Sequence, residues 1–211
     1  MLLPRIITPR RHPPNLPKPN PSVEAVSPFE HISVLISIIL GLGITQLLIG
    51  LHRLVQARER VKTYWLSLLW AALIFIAQVE WWWSSYALRE ETIWNFFYFL
   101  FVLLSPVSLY LAAAFALPDI EKGERYDLRE YYYGSRGWFF GFVATGPVLD
   151  AIRRAIQAGT IVDYGAVSNA ISAVLVGSLA VSRNARYHAV VTIVVALLFL
   201  SFILSAALQL R

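Results

Sequence analysis

The 211-residue sequence contains no cysteine and few charged residues. The lack of cysteine excludes disulfides, thiolate nucleophiles and cysteine-ligated zinc or iron–sulfur centres. Charged residues make up only 15% of the chain. Soluble domains carry about 25%, so this chain has too few polar side chains to cover the surface of a water-soluble globule. The composition predicts that lipid is the main solvent.

Signatures of catalysis and nucleotide binding are also absent from the sequence. It has no Gly-x-Ser-x-Gly elbow, no His-Glu-x-x-His pair, no Walker loop and no dinucleotide fingerprint. This favours a non-catalytic protein without a cofactor, although membrane enzymes can work with scattered carboxylates and histidines. The net charge of +5 is spread over tails and loops. That distribution fits lipid headgroups and argues against a nucleic-acid partner, which would need a continuous basic face.

Long apolar runs dominate the chain after a proline-rich tail at residues 1–31. Five runs approach or exceed the roughly 20 residues that a helix needs to cross a hydrocarbon core. A sixth, at residues 138–149, is shorter, so the segment that contains it either spans with help from neighbours or ends as an interfacial helix. The predicted spans are residues 32–52, 64–86, 93–116, 138–158, 165–182 and 188–210. The sequence thus predicts an all-α, multi-pass transmembrane domain at residues 32–211.

The distribution of Lys and Arg predicts the orientation of these spans. Ten of the 18 basic residues lie in the loops on one side of the membrane, and eight lie on the other. Three of those eight, Arg5, Arg10 and Arg11, are too far from the first span to steer insertion. Ten against five predicts an outside amino terminus and a cytoplasmic loop at residues 118–137 in a bacterial-type inner membrane.

Small side chains recur every four residues in the first span. They are Ser33, Ser37, Gly41 and Thr45, and the fifth span repeats the pattern with Ala166, Ala170, Ser178 and Ser182. Such a ridge lets another helix backbone approach closely. We therefore expect the first and fifth helices to be central, with a second copy of the chain or another membrane protein as a further packing partner.

Polar side chains near the predicted outer face are the candidate functional residues. Glu80 lies just inside an edge marked by three consecutive tryptophans, where an ionisable group is costly and therefore a functional candidate. The predicted ion pathway contains Glu80, Glu30, His31, Gln46, Asn95 and Asp150. Glu30, His31 and Glu80 together have the chemistry to bind a cation or relay protons. Alternatively, each carboxylate only neutralises Arg153 or Arg154 near the headgroups.

Two weaker patterns leave further alternatives open. His52 and His188 fall at the same end of their spans, which is compatible with a cofactor held between two imidazoles, although contacts with headgroups or carbonyls are the favoured interpretation. Residues 52–57 resemble residues 153–158, which is compatible with two inverted three-helix halves. In that case the Gly-rich middle of the first span corresponds to a helix break at Gly146-Pro147.

The sequence therefore predicts a small, oligomeric channel or transporter. Its polar side chains would form an outward-facing vestibule, and residues 41–46 would line the narrow part. The alternative is a non-catalytic scaffold or accessory subunit. In that case the ridge would dock a partner helix, and the 118–137 loop would receive a cytoplasmic protein.

Overall fold

The computed structural model describes residues 28–91, 94–121, 123, 125–158 and 164–209. Within these ranges the chain forms six α-helices and two short strands. The helices are α1 (Pro28–Gln56), α2 (Trp65–Ser84), α3 (Phe96–Ala116), α4 (Leu128–Ala158), α5 (Tyr164–Val181) and α6 (Ala185–Gln209), and a 3-10 helix at Ser85–Glu90 follows α2. The predicted all-α bundle is confirmed. Residues 1–27 of the predicted proline-rich tail lie outside the described residues.

Four of the described helices, α1, α2, α3 and α6, are long and apolar enough to cross a membrane. Large apolar side chains such as Val34, Leu42 and Leu197 are more than half exposed on these helices, as expected where lipid covers them. These are the helices of an integral membrane protein. The apolar part of α5, Val167–Val181, is shorter, and α4 carries a charged segment near its carboxyl end. The predicted number of six spans is therefore not confirmed.

The two ends of the bundle differ in structure. Strand β1 (Val61–Lys62) between α1 and α2 pairs in parallel with strand β2 (Tyr126–Asp127) between α3 and α4. This pairing joins the carboxyl ends of α1 and α3 to the amino ends of α2 and α4. We call it the strand end. The opposite end, where α2 finishes in three tryptophans and Trp94 precedes α3, is the tryptophan end.

Helix α4 begins ten residues earlier than the sequence predicted, because the predicted loop at residues 118–137 is helical from Leu128 onward. Asp127 accepts a hydrogen bond from the Arg129 backbone N–H at 2.9 Å, which satisfies a free donor at the helix start. Tyr132 and Phe140 then bury their rings in the core. The predicted break at Gly146-Pro147 is also wrong, because α4 continues through Pro147 to Ala158.

The face of α1 that packs on α2 and α3 is not the predicted ridge. The residues on the inward face of α1 are separated alternately by four and three positions, which is the spacing of a heptad repeat. They are Ile36, Leu40, Gly43, Leu47, Gly50 and Leu54. Ser37, Gly41 and Thr45 lie exposed on another side, and a Cβ on Gly41 would meet nothing within 4 Å. The expectation that α1 is central through its ridge is therefore wrong.

The largest core cluster lies around the first half of α4. Trp70 of α2 packs edge-on against Phe139 and Phe140, with ring centroids 5.8 and 5.1 Å apart. Leu47 is the only buried residue that α1 contributes to this cluster within the described chain. Helix α4 packs most extensively on α5, whereas α1 packs most extensively on α3. The two halves are thus packed differently, and the possible duplication gains no support.

Candidate functional site

Glu80 lies on the last turns of α2 at the tryptophan end, where its side chain is half-buried. The hydroxyl of Ser84, one helical turn later, donates a hydrogen bond to Glu80 Oε1. Among the ion pairs of the described residues, none includes Glu80. A carboxylate of the same sign on another helix, Asp150 of α4, lies within electrostatic range of Glu80. Within the described residues, Glu80 is therefore a half-buried carboxylate that forms no ion pair with a basic side chain.

Asp150 is surrounded by hydrogen-bond donors. Its carboxylate accepts hydrogen bonds from Arg153 Nη2 at 2.5 Å and from Arg154 Nε at 2.8 Å, one turn further along α4. Asn169 Nδ2 of α5 donates a third bond at 2.5 Å. The cluster therefore ties the end of α4 to the start of α5. All three charged side chains remain about one-third exposed, at 31–36%, so none of them is fully buried.

These two carboxylates separate the alternatives that the sequence left open. Asp150 neutralises nearby arginines, since it pairs with both Arg153 and Arg154. Glu80 does not have this role, because both arginines bind Asp150 and no ion pair to Glu80 is formed in the described chain. The structure therefore places two of the predicted site residues near each other and gives them different surroundings.

The remaining predicted residues of the outer face do not join this pair. Asn95 is exposed and caps α3, where its side chain accepts a hydrogen bond from Tyr98 N at 2.9 Å. Glu30 and His31 are exposed on the first turns of α1. In the part of the chain that the structure describes, no three His, Asp or Glu side chains are grouped closely enough to hold a metal ion. The expected joint cation site of Glu30, His31 and Glu80 is therefore not formed.

Gln46 lies toward the other end of the bundle. It is exposed and lines a cleft of about 420 Å³ between α1, the end of α3 and the start of α4. At the mouth of this cleft Arg53 forms an ion pair with Asp119. Gln46 therefore does not share a site with Glu80, which belongs to the tryptophan end.

Gln78 is a buried polar residue that the sequence analysis missed. Its side chain is 0% exposed, and neither amide atom has a hydrogen-bond partner among the described residues. The amide lies against Gly43 of α1, at a point where α3 also comes close, since a Cβ on Gly43 would lie 3.3 Å from Tyr110 Cα. The sequence feature that could have identified Gln78 is a single amide side chain within an apolar run.

His188 is the centre of a second buried network that the sequence did not reveal. Its Nε2 lies 3.0 Å from the Ser182 carbonyl oxygen, and its Nδ1 lies 2.9 Å from the Tyr132 hydroxyl. A carbonyl only accepts, so in the neutral imidazole the proton is on Nε2, and Tyr132 donates to Nδ1. Burial raises the pKa of the Tyr132 phenol, which keeps its proton available.

The same network extends to α2 and gives His188 a structural role. Trp70 Nε1 donates to Thr192 Oγ1 at 3.0 Å, and both Thr192 and His188 are fully buried. Helices α2, α4 and α6 are thereby joined at the strand end. Because both ring nitrogens of His188 already bind protein groups, the alternative of a cofactor held by His52 and His188 is not what the structure shows. His52 itself is exposed.

The hydroxyl groups of the α1 ridge are satisfied within the chain. Ser33 Oγ donates to the Glu30 carbonyl at 2.9 Å, and Thr45 Oγ1 donates to the Gly41 carbonyl at 2.7 Å. Ser37 Oγ accepts a hydrogen bond from Trp82 Nε1 at 3.2 Å. The ridge is therefore an exposed surface of low polarity whose small side chains have room for another helix.

Comparison with known proteins does not place the chain in a family. It matches no protein-family model, no curated protein and no solved structure.

Proposed function

We propose that this membrane protein is a small channel or transporter for protons or small cations, with Glu80 as the group that binds the transported cation. One observation carries the proposal. Glu80 is a half-buried carboxylate at membrane depth that has a hydroxyl partner and no basic partner in the described chain, whereas its neighbour Asp150 binds two arginines. Keeping an unpaired charge at this depth is costly, so such residues usually have a function.

The vestibule of this proposal is smaller than the one predicted from the sequence. It consists of Glu80, Ser84 and the Asp150 cluster, which bring side chains of α2, α4 and α5 together at the tryptophan end. Arg153 and Arg154 pair with Asp150, and neither forms an ion pair with Glu80 among the described residues. A proton or cation that arrives from water at this end would therefore meet one available carboxylate.

Flux through liposomes tests the proposal. Purified protein is reconstituted, and movement of protons, Na⁺ and K⁺ is followed with fluorescent dyes. We expect flux above that of empty liposomes, and we expect Glu80→Gln to reduce it at least tenfold. Glu90→Gln is the matched control, because this carboxylate at the same end is 77% exposed. Flux that does not exceed the background, or that is unchanged by Glu80→Gln, would refute the proposal.

The absence of cysteine from the sequence allows a direct test of sidedness. Ser84→Cys introduces a single thiol beside Glu80, and Asp119→Cys introduces one at the strand end. In sealed vesicles, a membrane-impermeant thiol reagent is expected to label the two variants from opposite sides. Labelling of both from one side would contradict a membrane-spanning α2 and with it the proposed vestibule.

A second function, that of a scaffold or accessory subunit, is favoured by the exposed ridge on α1. Gly41 has open space around it, and its neighbours in the ridge use their hydroxyls within the chain. The ridge is therefore available to the helix of a second copy or of another membrane protein. This alternative predicts that Glu80→Ala has no functional effect.

Substitution of Gly41 tests this second function. Gly41→Leu is expected to abolish self-association in nanodiscs, or stable co-purification with another membrane protein. Gly141→Leu is the matched control, because Gly141 is also an exposed helical glycine with nothing within 4 Å of its missing side chain. Equal effects of the two substitutions would count against a specific role for the ridge.

A further inference from the structure

The cleft at the strand end has the size and chemistry of a ligand-binding site. Its volume is about 420 Å³, within the range of roughly 300–1,000 Å³ that is typical of small-molecule sites. Three segments form it: the second half of α1, the end of α3 with the residues that follow, and Tyr131 of α4. It is independent of the vestibule around Glu80.

The cleft is lined by both apolar and charged side chains. The apolar lining includes Ile49 of α1 and Ala114 of α3, both of which are exposed. The mouth carries the ion pair between Arg53 and Asp119. This combination of apolar and charged lining matches a molecule with an acyl chain and a polar head.

The charge of the surrounding surface favours an anionic head. Arg53 also lines a smaller neighbouring cavity of about 50 Å³, together with Arg60. Of the twelve Lys and Arg residues that the structure describes, nine lie at the strand end. Basic pockets between transmembrane helices at such a surface bind the headgroups of acidic lipids. The Arg53 side chain is 43% exposed and therefore within reach of a ligand.

We propose that this cleft binds an anionic phospholipid, with its phosphate on Arg53 and one acyl chain along the exposed Ile49 and Ala114. Asp119 then acts as a competitor, since its carboxylate holds the guanidinium when no lipid phosphate is present. This role gives the two partners of one ion pair opposite effects. Loss of Arg53 weakens lipid binding, whereas loss of the Asp119 charge strengthens it.

Lipid titration of the delipidated, full-length protein tests the site. Thermal unfolding in detergent is measured with added phosphatidylglycerol, with phosphatidylcholine and with inorganic phosphate at matched concentrations. We expect a saturable stabilisation by phosphatidylglycerol only. Arg53→Gln should raise the apparent Kd about tenfold or more, as expected for loss of a charged hydrogen bond. Asp119→Asn should lower the apparent Kd by about threefold, the scale of an exposed ion pair.

A substitution that fills the cleft shows whether lipid binds there or whether the Arg53–Asp119 ion pair has only a structural role. Ala114 is exposed at the end of α3, so Ala114→Trp should block the cleft without disturbing the core. Val107→Trp, two turns earlier on the same exposed face, is the matched control. Any of three results would overturn the proposal. The Ala114→Trp and Val107→Trp variants could bind lipid equally well, or Arg53→Gln and Asp119→Asn could change the apparent Kd in the same direction. The third is a response to phosphatidylcholine or inorganic phosphate that equals the response to phosphatidylglycerol.

Discussion

Two glycines in α1 lie two residues apart and have opposite surroundings. Gly41 faces open space, whereas a Cβ on Gly43 would overlap the Gln78 amide oxygen and would lie 3.0 Å from its Cδ and 3.3 Å from Tyr110 Cα. The same substitution at both positions therefore measures how closely α1 packs on α2 and α3. We predict that Gly43→Ala is less stable than Gly41→Ala.

The magnitude follows from two terms. Replacement of a helical glycine by alanine adds about 0.8–1.0 kcal/mol of helix propensity. This term is the same for both variants and cancels in their difference. What remains is the displacement of a fully buried side chain and of a helix backbone, since Gln78 is 0% exposed. Overpacking of this kind costs about 1–3 kcal/mol, which is the expected difference in unfolding free energy between the two variants.

Unfolding of the two variants in mixed micelles, titrated with SDS and followed by tryptophan fluorescence, measures this difference. In a Gln78→Ala background the difference should shrink, because the amide that obstructs the new methyl group is gone. Equal stability of Gly41→Ala and Gly43→Ala would refute the argument. It would mean that α1 does not pack on Gln78 and Tyr110 through Gly43.

Three further predictions use the same unfolding assay. Gln78→Met, which keeps the length of the side chain and removes two unpaired buried polar atoms, should stabilise the protein by about 1–3 kcal/mol, and a loss of stability would show that the amide has a partner. Thr192→Val should cost about 1–3 kcal/mol because the Trp70 indole N–H loses its acceptor, and an unchanged value would contradict that hydrogen bond. Asn95→Ala should cost about 1 kcal/mol through loss of the α3 cap, and Asn95→Asp should restore it.

The sequence was sufficient to predict the apolar helices because hydrocarbon allows few structures. A segment in lipid must satisfy its own backbone hydrogen bonds, so a long apolar run implies a helix. Runs of this kind predicted α1, α2, α3 and α6. Helix α4 was harder to predict because its first turns contain charged and tyrosine residues typical of loops. Tyr132 packs against Tyr64 and His188. This packing, together with the Asp127 hydrogen bond at the helix start, explains why these turns are helical.

The sequence pattern of α1 did not predict which of its faces packs on the neighbouring helices. The ridge that contains Ser37 and Gly41 has the spacing of a packing motif, and so does the heptad repeat that contains Leu40 and Gly43. Both patterns are present in one helix, and the sequence of α1 alone does not say which side meets its neighbours. The choice depends on the partner surfaces, here Gln78 and the backbone of α3.

The two ends of the bundle satisfy their polar groups in different ways, and this difference bears on where the proposed transport chemistry can occur. At the strand end, His188 and Tyr132 form a buried network of neutral groups whose donors are matched to acceptors. Burying such a network costs little free energy, and the network fixes the relative positions of the helices that it joins. At the tryptophan end, Glu80 and Asp150 are ionisable carboxylates that remain partly exposed. A change in the charge of Glu80 therefore does not require the buried strand-end network to open.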